Sequence, residues 1–280
     1  MLHTIESDIL QISAAEKGAE IKSVVIGGKQ RVYQGGEEWD GSAPNLFPYC
    51  GRMVMCIDGK VYPRVLHGFA TNADYELTDK QKDTMTFVLK SDKKTKKYYP
   101  YDFEYYITFS VSGGTLTITH RVKNTDSKPI YFALGGHESL ILDDPIETYT
   151  LVLEKKEPLK CSISHLHKTY PGVDFGVKDE LKMPADLLVE SDTVMFDNVL
   201  SRKIALKDKN GETVYKMAFD GFSRLLLWRP IGENIICIEP WQNYSGGTVK
   251  NPIDFKTVQG VNELQVGKEI TFTRTIEYLK

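Results

Sequence analysis

The chain has 280 residues, of which 41% are apolar and 26% charged, and its formal net charge is −3. This composition is typical of a globular protein in water, and no apolar run reaches the roughly 18 residues that would predict a membrane-spanning helix. The weak negative charge gives no general attraction to nucleic acid, and the start of the chain lacks a signal-peptide layout, so we expect a cytoplasmic protein. The four cysteines are scattered without a CxxC pair, which predicts neither a metal site nor a disulfide framework.

In the first half of the chain, apolar and polar residues alternate in short runs that glycine pairs separate. Such alternation is typical of β-strands with one buried face. Residues 21–34 predict a first hairpin, whereas residues 35–64 are rich in Gly, Pro and Asn and predict an irregular segment over the sheet. The clearest hairpin is predicted at 103–122. Its His120 falls on the apolar face, so we interpret this histidine as structural.

The second half of the chain continues the pattern. Residues 129–134 predict a strand that leads into Gly135-Gly136-His137, and glycines let the backbone approach another group closely. Residues 161–188 have low periodicity and predict a meandering excursion, in which His165 and His167 are interpreted as surface residues. Further strands are predicted at 75–77, 84–90, 148–153, 192–197, 204–206, 214–219, 224–228, 235–239 and 269–278.

These elements predict an all-β protein. Only residues 185–190 suggest a helix, of about two turns, and neither a linker nor a repeat interrupts the strands. We expect one domain over residues 1–280, and so many strands in one domain need two packed layers. The predicted architecture is therefore a large antiparallel β-sandwich.

One strand ends on a carboxylate. Residues 235–238 are all apolar, which predicts a strand buried on both faces, and Pro240 ends the pairing just after Glu239. Glu239 is then either a solvated residue at a strand end or a buried carboxylate that needs a polar partner. Candidate partners interrupt apolar strands or stand beside glycines; they are Arg52, His67, His137 and Asp192. Their spacing alone does not show that they meet.

Five segments of the chain, in this order and spacing, resemble the aldose 1-epimerase (galactose mutarotase-like) family, in particular its LacX-like branch. The segments are Leu46-Phe47-Pro48-Tyr49-Cys50-Gly51-Arg52, His67-Gly68-Phe69, Gly135-Gly136-His137, Asp192-Thr193-Val194-Met195-Phe196 and Ile238-Glu239-Pro240-Trp241. The resemblance extends from near Ile21 to Tyr278. It implies a large twisted antiparallel β-sandwich, or supersandwich, with a sugar pocket on a concave sheet. It also implies interconversion of the α and β anomers of a free hexose, without a metal or another cofactor.

The chemistry of anomer exchange accounts for the residue types in these segments. Ring opening needs a base that removes the proton of the anomeric hydroxyl and an acid that protonates the ring oxygen. The resemblance implies that Glu239 is the base, that His137 is the acid, and that His67 is a second histidine near the ring oxygen.

The resemblance also implies residues that bind the sugar. Arg52 and Asp192 match substrate-binding positions, and Asp197 is close enough in sequence to be an alternative to Asp192. Trp241 either lies beside the apolar face of the sugar or is a buried residue at a strand end. One departure is Glu138-Ser139, where many relatives carry proline or an aromatic residue soon after the Gly-Gly-His. A carboxylate that faced the imidazole ring would favour the imidazolium.

Two other functions are compatible with the sequence. A hexose 6-phosphate 1-epimerase would need cations near the far end of the sugar, for which the candidates are Arg64, Arg202, Arg224 and Arg229. A carbohydrate-binding protein of the same fold would need no acid and base pair. The presence of both Glu239 and His137 therefore argues against the binding protein.

Overall fold

The computed structural model of the protein describes residues 1–165, 168–190 and 192–279. The predicted surface histidine His167 lies outside these ranges. Within them the chain is almost entirely β-structure, and its only helices are short 3-10 turns. These turns are Phe69–Asn72, Thr95–Lys97, Ile146–Thr148, Ala185–Leu187 and Phe255–Thr257. No helix in the described ranges is long and apolar enough to cross a membrane.

The strands divide into a first and a second half of the chain. The first half holds β1 (Leu2–Glu6), β2 (Leu10–Ala15), β3 (Ile21–Ile26), β4 (Lys29–Gln30), β5 (Asn45–Leu46), β6 (Met55–Ile57), β7 (Lys60–Val61), β8 (Glu76–Lys80), β9 (Thr84–Lys90), β10 (Phe103–Ser112), β11 (Thr115–Asn124) and β12 (Ile130–Phe132). The second half holds β13 (Gly135–Gly136), β14 (Glu138–Ile141), β15 (Thr150–His165), β16 (Lys168–Lys182), β17 (Thr193–Phe196), β18 (Lys203–Lys207), β19 (Thr213–Ala218), β20 (Arg224–Trp228), β21 (Ile235–Trp241), β22 (Ile253–Asp254), β23 (Asn262–Leu264) and β24 (Glu269–Tyr278).

One large antiparallel sheet dominates the molecule. Its strand order is β5-β13-β21-β20-β17-β15-β18-β19-β24-β11-β10-β9-β8, with β14 paired to β21 and β16 paired to β15. Three smaller sheets accompany it, formed by β1 to β4, by β12 with β23, and by β22 with β6 and β7. Neighbouring strands of the large sheet are mostly distant in sequence, so residues far apart in the chain come together on its faces.

The large sheet folds back on itself, so that its two ends pack face to face over a shared core. Arg274 of β24 reaches Glu138 of β14 and Asn45 of β5. Phe47, which follows β5, stacks on Tyr105 of β10 with ring centroids 4.6 Å apart. Alternate residues of β10 and β11 are buried, as the period of two predicts. The predicted all-β antiparallel sandwich is confirmed.

Three parts of the chain differ from the expected elements. The helix of about two turns expected at 185–190 is a single 3-10 turn, Ala185–Leu187. The segment 161–188 is not a meander, because most of it belongs to β15 and β16, which form a long hairpin. Register shifts along this hairpin break the alternation, which is why the period of two was not visible in the sequence. In the first hairpin, the return strand is β4 at Lys29–Gln30 and not at residues 31–34.

Candidate active site

Glu239 lies on β21, the third strand from the β5 edge of the large sheet, and is only 2% exposed. The even-numbered neighbours Ile236 and Ile238 belong to the main core, so Glu239 and Trp241 face the opposite side of the sheet. On that side, Leu226 of β20 and Met195 of β17 stand in register with Glu239. Glu239 is therefore not a solvated residue at a strand end.

His137 stands directly across from Glu239. Gly135 of β13 pairs with Trp241 and Glu138 of β14 pairs with Ile238, so His137, between them, falls opposite Glu239. Residues opposite each other on one face of an antiparallel pair have Cβ atoms about 5 Å apart, which is close enough for their side chains to meet. The His137 Nε2 atom lies 3.4 Å from Glu239 Oε1. The sheet register itself thus brings the two groups together.

Burial shifts the pKa values of Glu239 and His137 in opposite directions. It raises the pKa of Glu239 well above its ordinary value, and the nearby negative charge of Glu138 raises it further, while a contact with the Trp241 indole lowers it. Burial lowers the pKa of His137 to about 4. Between these two pKa values the pair holds one proton, which is what one acid and one base require.

His67 forms the third member of this cluster. Its ring lies edge-on to the rings of His137 and Trp241, at centroid distances of 5.3 and 5.4 Å. The Gly51 N–H donates to His67 Nδ1 at 3.1 Å, and the His67 N–H donates to the Gly51 carbonyl at 2.9 Å. Burial, His137 and Arg52 lower the pKa of His67 well below its usual value. A neutral ring that accepts at Nδ1 carries its proton on Nε2, so His67 is a fixed hydrogen-bond donor.

His67 has a backbone φ of 61°, in the left-handed region that side chains rarely adopt. The reciprocal hydrogen bonds with Gly51 hold it in this conformation. Backbone strain that the surrounding structure maintains is common at functional sites. The next residue, Gly68, has a φ of 79° and packs on the Phe47 carbonyl, where a Cβ atom would overlap.

Two tryptophans that sequence reasoning did not select also surround His137. Trp39 stacks on the His137 ring with centroids 4.9 Å apart, and Trp228 meets that ring edge-on at 5.5 Å. Trp39 comes from the irregular segment predicted over the sheet, and Gly41 lies so close to the indole that a Cβ atom there would overlap with it. The feature of the sequence that could have indicated Trp39 is a large aromatic residue between acidic residues in a loop. Trp228 lies on the same face of β20 as Leu226. Its place in the site could be predicted only if the strand pairing were known.

Arg52 follows Gly51 and is half-buried near His67. Burial and the neighbouring Arg64 lower the pKa of Arg52. Neither arginine forms an ion pair with another residue in the described part of the chain. Two guanidinium groups therefore stand close together on the His67 side of the site.

Trp241 is 5% exposed and is packed tightly. Cβ atoms at Gly51 and Gly135 would lie 2.8 and 3.0 Å from its ring. Trp241 thus forms part of the wall next to Glu239 and His67.

The two candidate aspartates lie at opposite ends of β17. Asp192 precedes the strand and contacts His165 Nδ1 through Oδ1 at 2.5 Å. It is three residues before Met195, or roughly 10 Å along the strand, and two strands away from Glu239. Asp197 follows the strand and accepts a hydrogen bond from Arg224 Nε at 2.6 Å. Arg224 pairs with Trp241 in register, so Asp197 lies on the Trp241 side of the site.

Glu138 does not face the His137 imidazole. It points into the sandwich interior, where it pairs with Arg274. It therefore gives the imidazolium no contact, and the pKa of His137 is lowered by burial. No group of three or more His, Cys, Asp or Glu side chains within the described ranges is arranged to hold a metal ion.

Known proteins resemble this chain in sequence and in fold. Residues 1–254 match the aldose 1-epimerase family. The plasmid-encoded protein LacX of Lactococcus lactis subsp. lactis is 25% identical over 270 residues, which cover 86% of this chain and 87% of LacX. The chain belongs to the aldose 1-epimerase family.

Solved structures share the fold over the whole chain. A galactose mutarotase-like protein from Lactobacillus casei has a TM-score of 0.87 and 25% identity, and the match covers 100% of both chains. A galactose mutarotase related enzyme from Lactobacillus acidophilus has a TM-score of 0.87 and 24% identity, covering 100% of this chain and 98% of that one. A putative aldose 1-epimerase from Escherichia coli K12 has a TM-score of 0.75 and 13% identity, over 100% of this chain and 99% of the other.

Proposed function

We propose that this protein is an aldose 1-epimerase that interconverts the α and β anomers of a free hexose. The observation that carries the proposal is the buried contact between His137 Nε2 and Glu239 Oε1 at 3.4 Å. The anomeric hydroxyl oxygen and the ring oxygen of a pyranose are bonded to the same carbon. Two groups at this distance can therefore contact both oxygens of one sugar.

The order of the two pKa values places the single proton of the pair on Glu239 in the free protein, so the reacting form is the one in which that proton has moved to His137. In this form the Glu239 carboxylate removes the proton of the anomeric hydroxyl while the His137 imidazolium donates its Nε2–H to the ring oxygen. The bond between the anomeric carbon and the ring oxygen breaks, and the open-chain aldehyde forms. After rotation about the bond between the first two carbons, the neutral imidazole takes the proton back from the hydroxyl and the carboxyl group returns its proton to the carbonyl oxygen. Each group ends in its starting state, and the ring closes with either face exposed.

The other residues of the site would hold the sugar. His67 carries its proton on Nε2 and would donate it to a sugar oxygen near the ring. Arg52 has a planar set of donors and pairs with no carboxylate among the residues that the structure describes, which suits hydroxyl oxygens of a sugar. We infer that Asp197 is a better candidate than Asp192 to accept hydrogen bonds from the sugar, because Arg224 ties it to the Trp241 side of the site.

Anomerisation can be followed directly by polarimetry. Freshly dissolved α-glucose, α-galactose and a hexose 6-phosphate would each be added to the wild type and to Glu239→Gln. We expect a free hexose to equilibrate faster with the wild type than in buffer, and Glu239→Gln to lower that rate by about 10²- to 10⁴-fold. If no sugar is accelerated, the protein is a carbohydrate-binding protein or acts on another substrate, and the proposal is wrong.

Action on a hexose 6-phosphate is the second candidate, and Arg64 favours it. Of the four candidate cations, Arg224 pairs with Asp197, Arg229 donates to the Leu188 carbonyl, and Arg202 donates to backbone carbonyls. Arg64 is exposed beside Arg52.

The substitution Arg64→Gln separates the two substrate classes. If the substrate is phosphorylated, we expect KM for the hexose 6-phosphate to rise about tenfold, as for a lost charge-assisted hydrogen bond. KM for a free hexose should not change. The matched control is Arg229→Gln, and an unchanged KM for both sugars in Arg64→Gln would exclude this role.

A further inference from the structure

A buried ion pair lies directly behind the two reacting side chains. Glu138 and Arg274 are 2% and 0% exposed, and Arg274 Nη1 donates to Glu138 Oε1. Glu138 is the residue after His137 and pairs with Ile238, the residue before Glu239. Because neighbouring residues of a strand point to opposite faces, the ion pair lies on the core side and the reacting pair on the sugar side.

Arg274 also binds two neutral side chains of the core. Its Nη2 atom lies 3.1 Å from His120 Nε2 and 3.3 Å from Asn45 Oδ1. A guanidinium only donates, so His120 accepts at Nε2, and its Nδ1 donates to the Tyr105 hydroxyl at 2.8 Å. Burial and Arg274 lower the pKa of His120 well below its usual value, so this histidine is neutral. The pair thus joins β24, β14 and β5 through fully buried contacts.

The ion pair leaves room only for a glycine at position 136. A Cβ atom at Gly136 would overlap with Arg274 Nη1 and Glu138 Oε2. The guanidinium therefore lies against the backbone of the residue that precedes His137. Pro240 of β21 lies opposite Gly136 and has no N–H, so the pairing of β13 and β14 with β21 lacks one backbone hydrogen-bond donor at this position. The ion pair on the core side supports the backbone there.

We propose that Glu138 and Arg274 are positioning residues of the site, which act on His137 and Glu239 through the backbone that they support and through their charges. This inference rests on the proposed function for its role in anomer exchange. The pair touches neither the sugar side of the sheet nor a substrate there. Its effect on Glu239 is measurable without any substrate.

The charge effect has a definite direction. The titratable and charged groups around Glu239 are His137 at 3.4 Å, His67 beside His137, Glu138 with its partner Arg274, Arg224 with its partner Asp197, and the thiols of Cys50 and Cys237. Both thiols are buried and have raised pKa values, so they are uncharged at neutral pH. The Glu138 carboxylate is therefore the negatively charged neighbour that disfavours ionisation of the Glu239 carboxyl group.

The test is a pH titration of the Glu239 carboxyl carbon by ¹³C NMR in the full chain. In Glu138→Gln the anion is lost while the Arg274 cation stays, so we expect the pKa of Glu239 to fall by about one pH unit or more. In Glu138→Gln with Arg274→Met both charges are lost. The pKa of Glu239 should then lie between those of the wild type and the single variant.

A matched control is Glu157→Gln, which changes another buried carboxylate that accepts hydrogen bonds from Leu200 and Ser201. It should leave the titration of Glu239 unchanged. If Glu138→Gln does not fold, the Glu239 titration is measured in the double variant instead, because that variant holds no unpaired buried charge. An unchanged Glu239 titration in the folded variants, or an equal shift in Glu157→Gln, would overturn the inference. A wild type that accelerates no sugar would refute the proposed function but leave this titration valid.

Discussion

At the scale of single residues, Glu239 and His137 meet because they stand opposite each other on two antiparallel strands. Their contact of 3.4 Å comes with a raised pKa for Glu239 and a pKa of about 4 for His137. Such a pair titrates as a unit, so its two pKa values belong to the pair. His67, held by Gly51, adds a fixed neutral donor beside it.

The pH dependence of the rate follows from these directions. Below about pH 4 both His137 and Glu239 are protonated and the pair contains no base. Above the raised pKa of Glu239 both groups have lost their protons and the pair contains no acid. We therefore expect a bell-shaped profile of kcat/KM, measured by anomeric proton NMR, with a maximum between the two limits. A rate that keeps rising from neutral to alkaline pH would contradict this assignment.

At the scale of elements, the sequence was sufficient to locate most strands, but it was not sufficient to show which strands pair with each other. The alternation at 103–122 marks β10 and β11, and the apolar run at 235–238 marks β21. No local pattern shows that β13 and β14 lie along β21, since about a hundred residues separate them. The resemblance to a family supplied His137 and Glu239 as a pair. It did not supply Trp39, whose position depends on how an irregular loop packs.

The ends of β17 give a prediction at this scale. Asp197→Asn weakens the tie to Arg224 on the Trp241 side of the site, and we expect KM to rise about tenfold. Asp192→Asn removes a contact with His165 at the other end of the strand and should leave KM unchanged. Initial rates over a range of sugar concentrations distinguish the two. A rise in KM only for Asp192→Asn would show that Asp192, the aspartate that the family resemblance implies, is the sugar ligand.

At the scale of the whole molecule, one sheet runs from β5 at one edge to β8 at the other and folds over a common core. We propose that the chain forms one domain, which should unfold in a single transition. Three histidines, His67, His120 and His137, have pKa values lowered by burial, whereas Glu239 has a raised pKa. These shifts link the free energy of unfolding to pH.

The sign of this linkage can be worked out group by group. As the pH falls below the unfolded histidine pKa of about 6.5, the unfolded chain binds three protons that the folded protein does not, which destabilises the fold. Glu239 opposes this, because its folded form keeps a proton that the unfolded chain releases. The free energy of unfolding should fall by roughly 1 to 2 kcal/mol from about pH 6.5 to about pH 5.5. Urea unfolding measures it, and His137→Asn should reduce the slope; a constant stability over this range would be inconsistent with buried neutral histidines.

We propose that Glu239 and His137 act together on one sugar, and a double-mutant comparison tests this joint action most directly. The rate of anomer exchange of a free hexose would be measured by NMR for the wild type, Glu239→Gln, His137→Asn and the double variant. Groups that act as a unit are not additive, so we predict that each single variant loses about 10²- to 10⁴-fold and that the double variant loses little more. Full activity in either single variant, or losses that multiply in the double variant, would show that the two groups do not act as a unit.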